Sequence, residues 1–363
     1  MKNNNYEVRG EKCEVRKYHT SHIPLHTSIK FEGGNMLRIL FMGTPDFARD
    51  SLKAIHEKGH EILSVITVPD RPKGRGMKLV FSEVKEYAIE KGLEVIQPDK
   101  LRGNEEIIEK IKKMNPDIIC VVAYGRILPK EILEIPKYGC VNVHPSLLPK
   151  YRGSAPIQWA ILNGDEKTGV STMYLDEEMD SGDIILKQEV NIGENETSGE
   201  LWDRLSKIGA ELLVKTLEQI ENGTAPREKQ GSNFTIAPML EKSQAKIDWE
   251  NKSAKEIKNL VRGLNPIMGA YGILNGKKIK FWKVDILSTD EFIEKYQEFK
   301  GYEYRFSKIE PGTILYIDSK EGIYIMTKEG ILLVLEMQGE NAKRMTAPEF
   351  LRGNKIEVID IFE

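Results

Sequence analysis

From Leu37 onward, short apolar runs alternate with amphipathic stretches, and this rhythm limits the possible folds more than any other feature of the chain. Strands joined through helices return to the same sheet in the same direction, so the alternation predicts a mostly parallel sheet covered by helices. Leu37-Arg-Ile-Leu-Phe-Met42 reads as the first strand, and Asp46 to Lys58 as a helix ended by Gly59. Strands over Glu61–Val68 and Glu94–Gln97 alternate with helices over Ser82–Lys91 and Asn104–Met114. Asp117-Ile-Ile-Cys-Val-Val-Ala123 is apolar on both faces, as a central strand buried by helices on both sides must be. Gly139–His144 follows as a strand, then a helix over Ala155–Asn163 and strands over Gly169–Leu175 and Asp183–Val190. A long helix opens at Thr197, where Thr197-x-x-Glu200 forms a capping box. Residues 36–224 are therefore expected to form an α/β domain.

The periodicity fades across residues 225–243, where Pro226, Gly231, Ser232, Asn233 and Pro238 cluster, and this stretch reads as a linker. Beyond it, a helix with the capping box Ser253-x-x-Glu256 precedes short β-runs at Gly269–Leu274, Lys278–Ile286, Gly312–Ile317, Gly322–Met326 and Ile331–Met337. Short strands separated by glycine-bearing turns predict a small OB-like β-barrel over residues 244–363. Residues 288–311 interrupt the strands and read as a long loop or helical insertion. A length of 363 residues suits two such domains.

A formal charge of −3 creates no global field for nucleic acid or membrane, so such binding has to come from a local patch. No run approaches the roughly 18 apolar residues of a membrane span. Cys13, Cys120 and Cys140 are odd in number and widely spaced, which fits reduced thiols in the cytoplasm and not a disulfide framework. No metal site is expected from them. Residues 1–35 lack an apolar signal region and read as a disordered extension; the polar surroundings and Pro24 argue against a metal tail at His19, His22 and His26.

Within the apolar strand Gly139–His144, Asn142 and His144 stand two residues apart and so share a face. His144 falls at the carboxyl end of its strand, where ligands of open parallel sheets gather, and the loop that follows is stiffened by Pro145 and Pro149. Either residue alone reads as a hydrogen-bonded core group; the pair reads as a site. Downstream, Leu175-Asp-Glu-Glu-Met-Asp180-Ser-Gly-Asp183 holds five carboxylates, more than local partners are expected to neutralise. A solvated acidic turn accounts for Asp176, Glu177 and Glu178, while Asp180 is the candidate for chemistry.

Asn142-Val-His-Pro-Ser-Leu-Leu-Pro149 and Met179-Asp-Ser-Gly-Asp-Ile184 resemble the catalytic segments of the formyltetrahydrofolate-dependent formyltransferases, a family with a Rossmann-like domain. Further matches are Phe41-Met-Gly-Thr-Pro-Asp-Phe47, Pro69-Asp-Arg-Pro-Lys-Gly-Arg-Gly76, Val121-Val-Ala-Tyr-Gly-Arg-Ile-Leu-Pro129, Tyr151-Arg-Gly-Ser-Ala-Pro-Ile-Gln158 and Lys246-Ile-Asp-Trp249. They narrow the resemblance to the branch whose acceptor is the amine of initiator methionyl-tRNA. It runs from about Met36 to the C-terminus, departing at residues 1–35 and 288–311.

The resemblance implies catalysis by Asn142, His144 and Asp180, with 10-formyltetrahydrofolate as co-substrate. It also implies a folate pocket lined by Tyr124, Gly125, Ile127 and Ser146, Leu147, Leu148 and Pro149. An amine attacking a formamide carbon generates an oxyanion, which Asn142 and His144 are suited to stabilise, and releases a proton, which Asp180 is suited to accept. No covalent nucleophile is needed. The basic, glycine-rich loop with Arg71, Lys73, Arg75 and Lys78 lacks the Walker spacing. The resemblance places it at the tRNA acceptor stem, with Arg75 entering. From Lys242 to Lys280 the local balance is +6, which suits phosphate contact. The alternatives are formyl transfer to a small amine, such as an amino sugar or purine precursor, and an RNA-binding module without catalysis. A dinucleotide oxidoreductase is disfavoured, because Gly43-Thr-Pro-Asp-Phe lacks G-x-G-x-x-G. Nothing in the sequence demands more than a monomer.

Overall fold

In the computed structural model, which describes residues 36–73 and 78–363, the alternating segments build a seven-stranded sheet. The expected N-terminal extension and Arg75 lie outside the described residues. In chain order the elements are β1 (Arg38–Gly43), α1 (Asp46–Glu57), β2 (Glu61–Ile66), a hairpin of β3 (Arg71–Lys73) and β4 (Lys78–Val80), α2 (Glu83–Glu90), β5 (Val95–Ile96) and α3 (Glu105–Met114). They continue with β6 (Ile118–Val122), α4 (Lys130–Leu133), β7 (Cys140–His144), α5 (Pro156–Leu162), β8 (Lys167–Tyr174), β9 (Ile184–Asn191) and α6 (Ser198–Glu221). The strand order is β5-β2-β1-β6-β7-β8-β9. β5, β2, β1, β6 and β7 pair in parallel, and β8 and β9 complete the sheet antiparallel.

Period-two alternation sorts the sheet into two cores. Ile39, Phe41, Cys120, Val122, Val141 and Val143 pack beneath α1 and α6, while Leu40, Met42, Ile119, Val121 and Cys140 meet α3 and α4 on the other face. Each such buried Ile, Val or Phe contributes on the order of 1.5–3 kcal/mol. The helices start where side chains satisfy free amides: Ser82 accepts from Lys85 N, Asn104 from Ile107 N, and Thr197 and Glu200 form the reciprocal box.

The remainder forms α7 (Ala254–Gly263), β10 (Ala270–Leu274), β11 (Lys277–Leu287), α8 (Thr289–Lys295), α9 (Glu303–Phe306), β12 (Ile314–Asp318), β13 (Gly322–Met326), β14 (Ile331–Gly339), β15 (Met345–Thr346) and α10 (Ala347–Gly353). The antiparallel order β10-β11-β14-β13-β12 leaves two edges, and the C-terminal residues bridge them. Ile273 and Glu363 exchange backbone hydrogen bonds of 3.0 and 2.8 Å; Phe362 N donates to Gly312 O at 2.9 Å, and Ile314 N to Asp360 O at 2.8 Å. The C-terminal residues thereby link the two outer strands β10 and β12, as in a small barrel. Residues 288–311 form α8 and α9, whose Phe292, Tyr296 and Phe306 cover Leu315, Tyr324 and Leu333 of the barrel.

Residues 225–243, expected as a linker, are stitched back onto the first sheet. Glu228 exchanges hydrogen bonds with Ile184, and Thr235 and Ala237 pair with Arg152 through bonds of 2.9 and 2.7 Å. Polar and glycine-rich composition hides this attachment, because the pairing is backbone to backbone and needs no apolar pattern.

Candidate active site

β7 delivers Asn142 and His144 to the face opposite α6, with Asn142 in register with Met173 and His144 with Ser171. Beside β7 that face is covered by a loop, with Leu148 packed on Met173 and Ile184. His144 is 4% exposed. Its Nε2 lies 2.8 Å from Tyr151 O, and a carbonyl can only accept, so Nε2 carries the proton and Nδ1 is the nitrogen left for the site. Nδ1 faces Asp180 Oδ2 at 3.7 Å, outside hydrogen-bond distance. The same Oδ2 accepts the Gly153 amide at 2.8 Å. The structure thus brings together the three residues singled out in the sequence, and it assigns the two imidazole nitrogens different tasks.

Asp180 itself is held in the left-handed region at φ +51°. Gly182 supports this turn by close approach, since a Cβ there would lie 1.9 Å from Tyr174 O. Gln230 spans the turn from the other side: its Nε2 donates to Asp180 O at 2.9 Å and Gly182 O at 2.8 Å, and its Oε1 accepts Arg152 Nε at 3.0 Å. Tyr151, at φ +62°, donates its amide to Thr235 Oγ1 at 2.8 Å. Arg152 entered the sequence reading only as part of the matching segment Tyr151–Gln158, and Gln230 and Thr235 not at all, because an isolated polar residue in an aperiodic stretch carries no signal that would find it.

Two of the five carboxylates in the acidic turn meet cations brought in from elsewhere in the chain. Glu177 pairs with Lys130 at 3.0 Å, Asp183 with Arg227 at 3.1 Å, and Asp176 accepts the Ser181 hydroxyl at 2.6 Å. Lys130 and Arg227 come from distant positions in the chain, which a local charge count cannot see.

Of the positions implied for folate, Ser146 is buried with its hydroxyl on Lys150 O, while Leu147 and Pro149 are half-buried. The Leu148 and Tyr124 side chains belong to the core, so those two positions can offer a ligand mainly backbone. Gly125 turns at φ +78°, and Ile127 is 78% exposed beside it. These loops sit at the carboxyl ends of β6 and β7. A separate cleft of about 590 Å³, lined by Asp46, Trp202, Pro266, Ile267 and Arg344 among others, includes none of the three catalytic candidates.

Arg71, Lys73 and Lys78 lie on the β3–β4 hairpin, with Arg71 exposed. In the basic stretch of the second half, several cations are engaged internally. Lys258 is 6% exposed and binds Asp285 at 3.0 Å, Arg262 donates to Gly193 O and Glu196 O, and Lys280 to Met268 O. Lys258, one of the cations counted in the +6 balance, is therefore buried and paired and adds nothing to an exposed basic patch. Lys242, Lys246, Lys255 and Lys277 remain exposed.

Among the described residues, no group of three or more His, Cys, Asp or Glu is arranged to hold a metal ion, and no helix is long and apolar enough to cross a membrane.

Residues 37–217 match the formyl transferase family model and residues 239–355 match the formyl transferase C-terminal domain model. The chain is 53% identical over 322 residues to a methionyl-tRNA formyltransferase of Clostridioides difficile, covering 88% of this chain and 98% of that protein. It is 47% identical over 324 residues to the protein of that name from Clostridium tetani, covering 89% of this chain and 98% of that one. In fold it is similar to an N-formyltransferase of Helicobacter canadensis solved with folinic acid and dTDP-3-aminofucose, with TM-score 0.60, 21% identity, and coverage of 84% of this chain and 100% of that one. It is also similar to HypX of Aquifex aeolicus solved with tetrahydrofolic acid, with TM-score 0.58, 19% identity, and coverage of 91% and 51%.

Proposed function

The chain belongs to the formyl transferase family, among the methionyl-tRNA formyltransferases, and from that premise we propose that it moves a formyl group from 10-formyltetrahydrofolate to the free amine of initiator methionyl-tRNA. The observation that carries the reading is the convergence of Asn142, His144 and Asp180 at one strand end, with His144 Nδ1 3.7 Å from the Asp180 carboxylate. Asn142 presents its amide N–H to the oxygen of the attacked formyl group, and His144 Nδ1 does the same only in the doubly protonated ring, because the proton of the neutral ring is on Nε2. Asp180, fixed by the Gly153 amide, takes the proton that the amine loses as its new N–C bond forms. The C–N10 bond breaks and N10 leaves with the proton that Asp180 took from the amine, so the exchange balances without a covalent enzyme intermediate. The loops at Tyr124–Ile127 and Ser146–Pro149 are assigned to the folate, and Arg71, Lys73, Arg75 and Lys78 to the acceptor stem. The reduced thiols suit a cytoplasmic setting, and a monomer suffices for this chemistry.

The test offers the purified chain 10-formyltetrahydrofolate together with methionyl initiator tRNA or a nucleotide-linked amino sugar. Formation of formylmethionyl-tRNA is expected. Transfer only to the amino sugar, or to neither acceptor by folded protein, overturns the reading.

A further inference from the structure

We propose that Gln230 is a positioning residue of the formyl-transfer site, acting through Asp180; the proposal rests on the reading of Asp180 given above. All hydrogen-bonding capacity of its amide plane toward the protein is directed at one task. Both Nε2 hydrogens meet carbonyls of the catalytic turn, at Asp180 O and Gly182 O, and Oε1 meets Arg152 Nε. This pattern fixes which end of the amide is nitrogen, because carbonyls only accept and a guanidinium only donates. Arg152 is 7% exposed and its guanidinium lies 4.4 Å from the Phe234 ring, so the group behind Gln230 is itself immobilised.

The geometry explains why such a tie is needed. Asp180 occupies φ +51°, a region that non-glycine residues adopt at a penalty and keep only when surroundings over-determine it. Its carboxylate must stay on Gly153 N at 2.8 Å while facing His144 Nδ1. Gln230 holds the backbone on one side of the carboxylate, and the pairing of Arg152 with Thr235 and Ala237 holds Gly153 on the other. Both holds come from the same segment, residues 230–237, so this stretch is a belt across the catalytic pair. Gln230 touches no reacting atom and its effect is on alignment, where a displacement of about 1 Å lowers turnover on the order of 100-fold.

Gln230→Ala and the isosteric Gln230→Met test this in the full-length chain, with Gln230→Met guarding against a packing defect. We expect kcat for methionyl-tRNA formylation to fall about 10- to 100-fold, with KM for both substrates within about twofold. Independently of activity, amide hydrogen exchange at Gly153 is expected to accelerate at least about tenfold, while the Arg152 and Ala237 amides, which bond across the belt, keep their protection. Unchanged Gly153 exchange, or equal loss at Arg152 and Ala237, would overturn a specific hold on Asp180. A fall in kcat shared by a large rise in KM would do the same. If the unmodified chain does not formylate methionyl-tRNA, the functional reading fails, and the exchange measurement still decides whether Gln230 holds Asp180.

Discussion

Replacing Gly153 with alanine concentrates the consequences of the belt in one methyl group. Gly153 sits at φ +119°, where L side chains are strained, and an added Cβ would lie 2.7 Å from Ala237 O, a backbone atom that cannot rotate away. Backbone strain of this kind costs on the order of 1–3 kcal/mol, and forced overpacking about 1–3 kcal/mol more. Together these give roughly 2–6 kcal/mol, a large share of the ~5–15 kcal/mol that holds an ordinary domain folded. Relief by separating the two segments would also pull the Gly153 amide off Asp180 Oδ2, removing a charge-assisted hydrogen bond worth about 1.5–3 kcal/mol. If that bond exerts its hold chiefly in the transition state, kcat drops about 10- to 100-fold. Urea unfolding and steady-state formylation on the same preparation measure both effects. Gly231→Ala is the control, since nothing lies within 4 Å of the Cβ it would add. Wild-type stability and turnover in Gly153→Ala, or equal losses in Gly231→Ala, would refute the account of the belt.

Two predictions concern the second half of the chain. Phe362 is 2% exposed, with its ring 5.6 Å from Trp249 and 5.4 Å from Phe281, so Phe362→Ala should lower stability by about 3–5 kcal/mol by denaturant titration; a loss below about 1 kcal/mol would mean that the C-terminal residues do not close the barrel. Glu256 is pulled down from 4.5 to about 2 by Lys252, then by the Ser253 amide, and its folded value lies below the unfolded one. It therefore stabilises the fold above about pH 4.5 and loses that contribution as pH falls toward about 2. Because its side chain is half exposed, screening limits the effect to on the order of 1 kcal/mol, the size of an ordinary cap. The stability gap between the wild type and Glu256→Gln should narrow with acid, and a gap constant from pH 6 to 3 would contradict the assignment.

The parallel sheet was legible because burial on both faces leaves continuous apolar runs such as Ile118–Val122, and because Ser82, Asn104 and Thr197 mark helix starts by short-range chemistry. Asn142 and His144 stood out for the opposite reason, as polar groups on a strand with no solvent face to account for them. Gln230 left no trace, since its partners lie some 50 and 78 positions away and are mostly backbone atoms. Charge counting failed at Lys258 on similar grounds: composition records a cation, but only the fold reveals Asp285 beside it. The closing C-terminal residues are too few to show strand periodicity.

The most direct measurement compares the wild type with Asp180→Asn for formyl transfer from 10-formyltetrahydrofolate to methionyl initiator tRNA and, in parallel, for tRNA affinity. The substitution keeps the shape that Gly153 N and His144 enclose but removes the proton acceptor. Transfer is expected to fall at least about 100-fold while affinity for tRNA stays within about twofold. Transfer retained by Asp180→Asn, or lost only in proportion to tRNA binding, would contradict it.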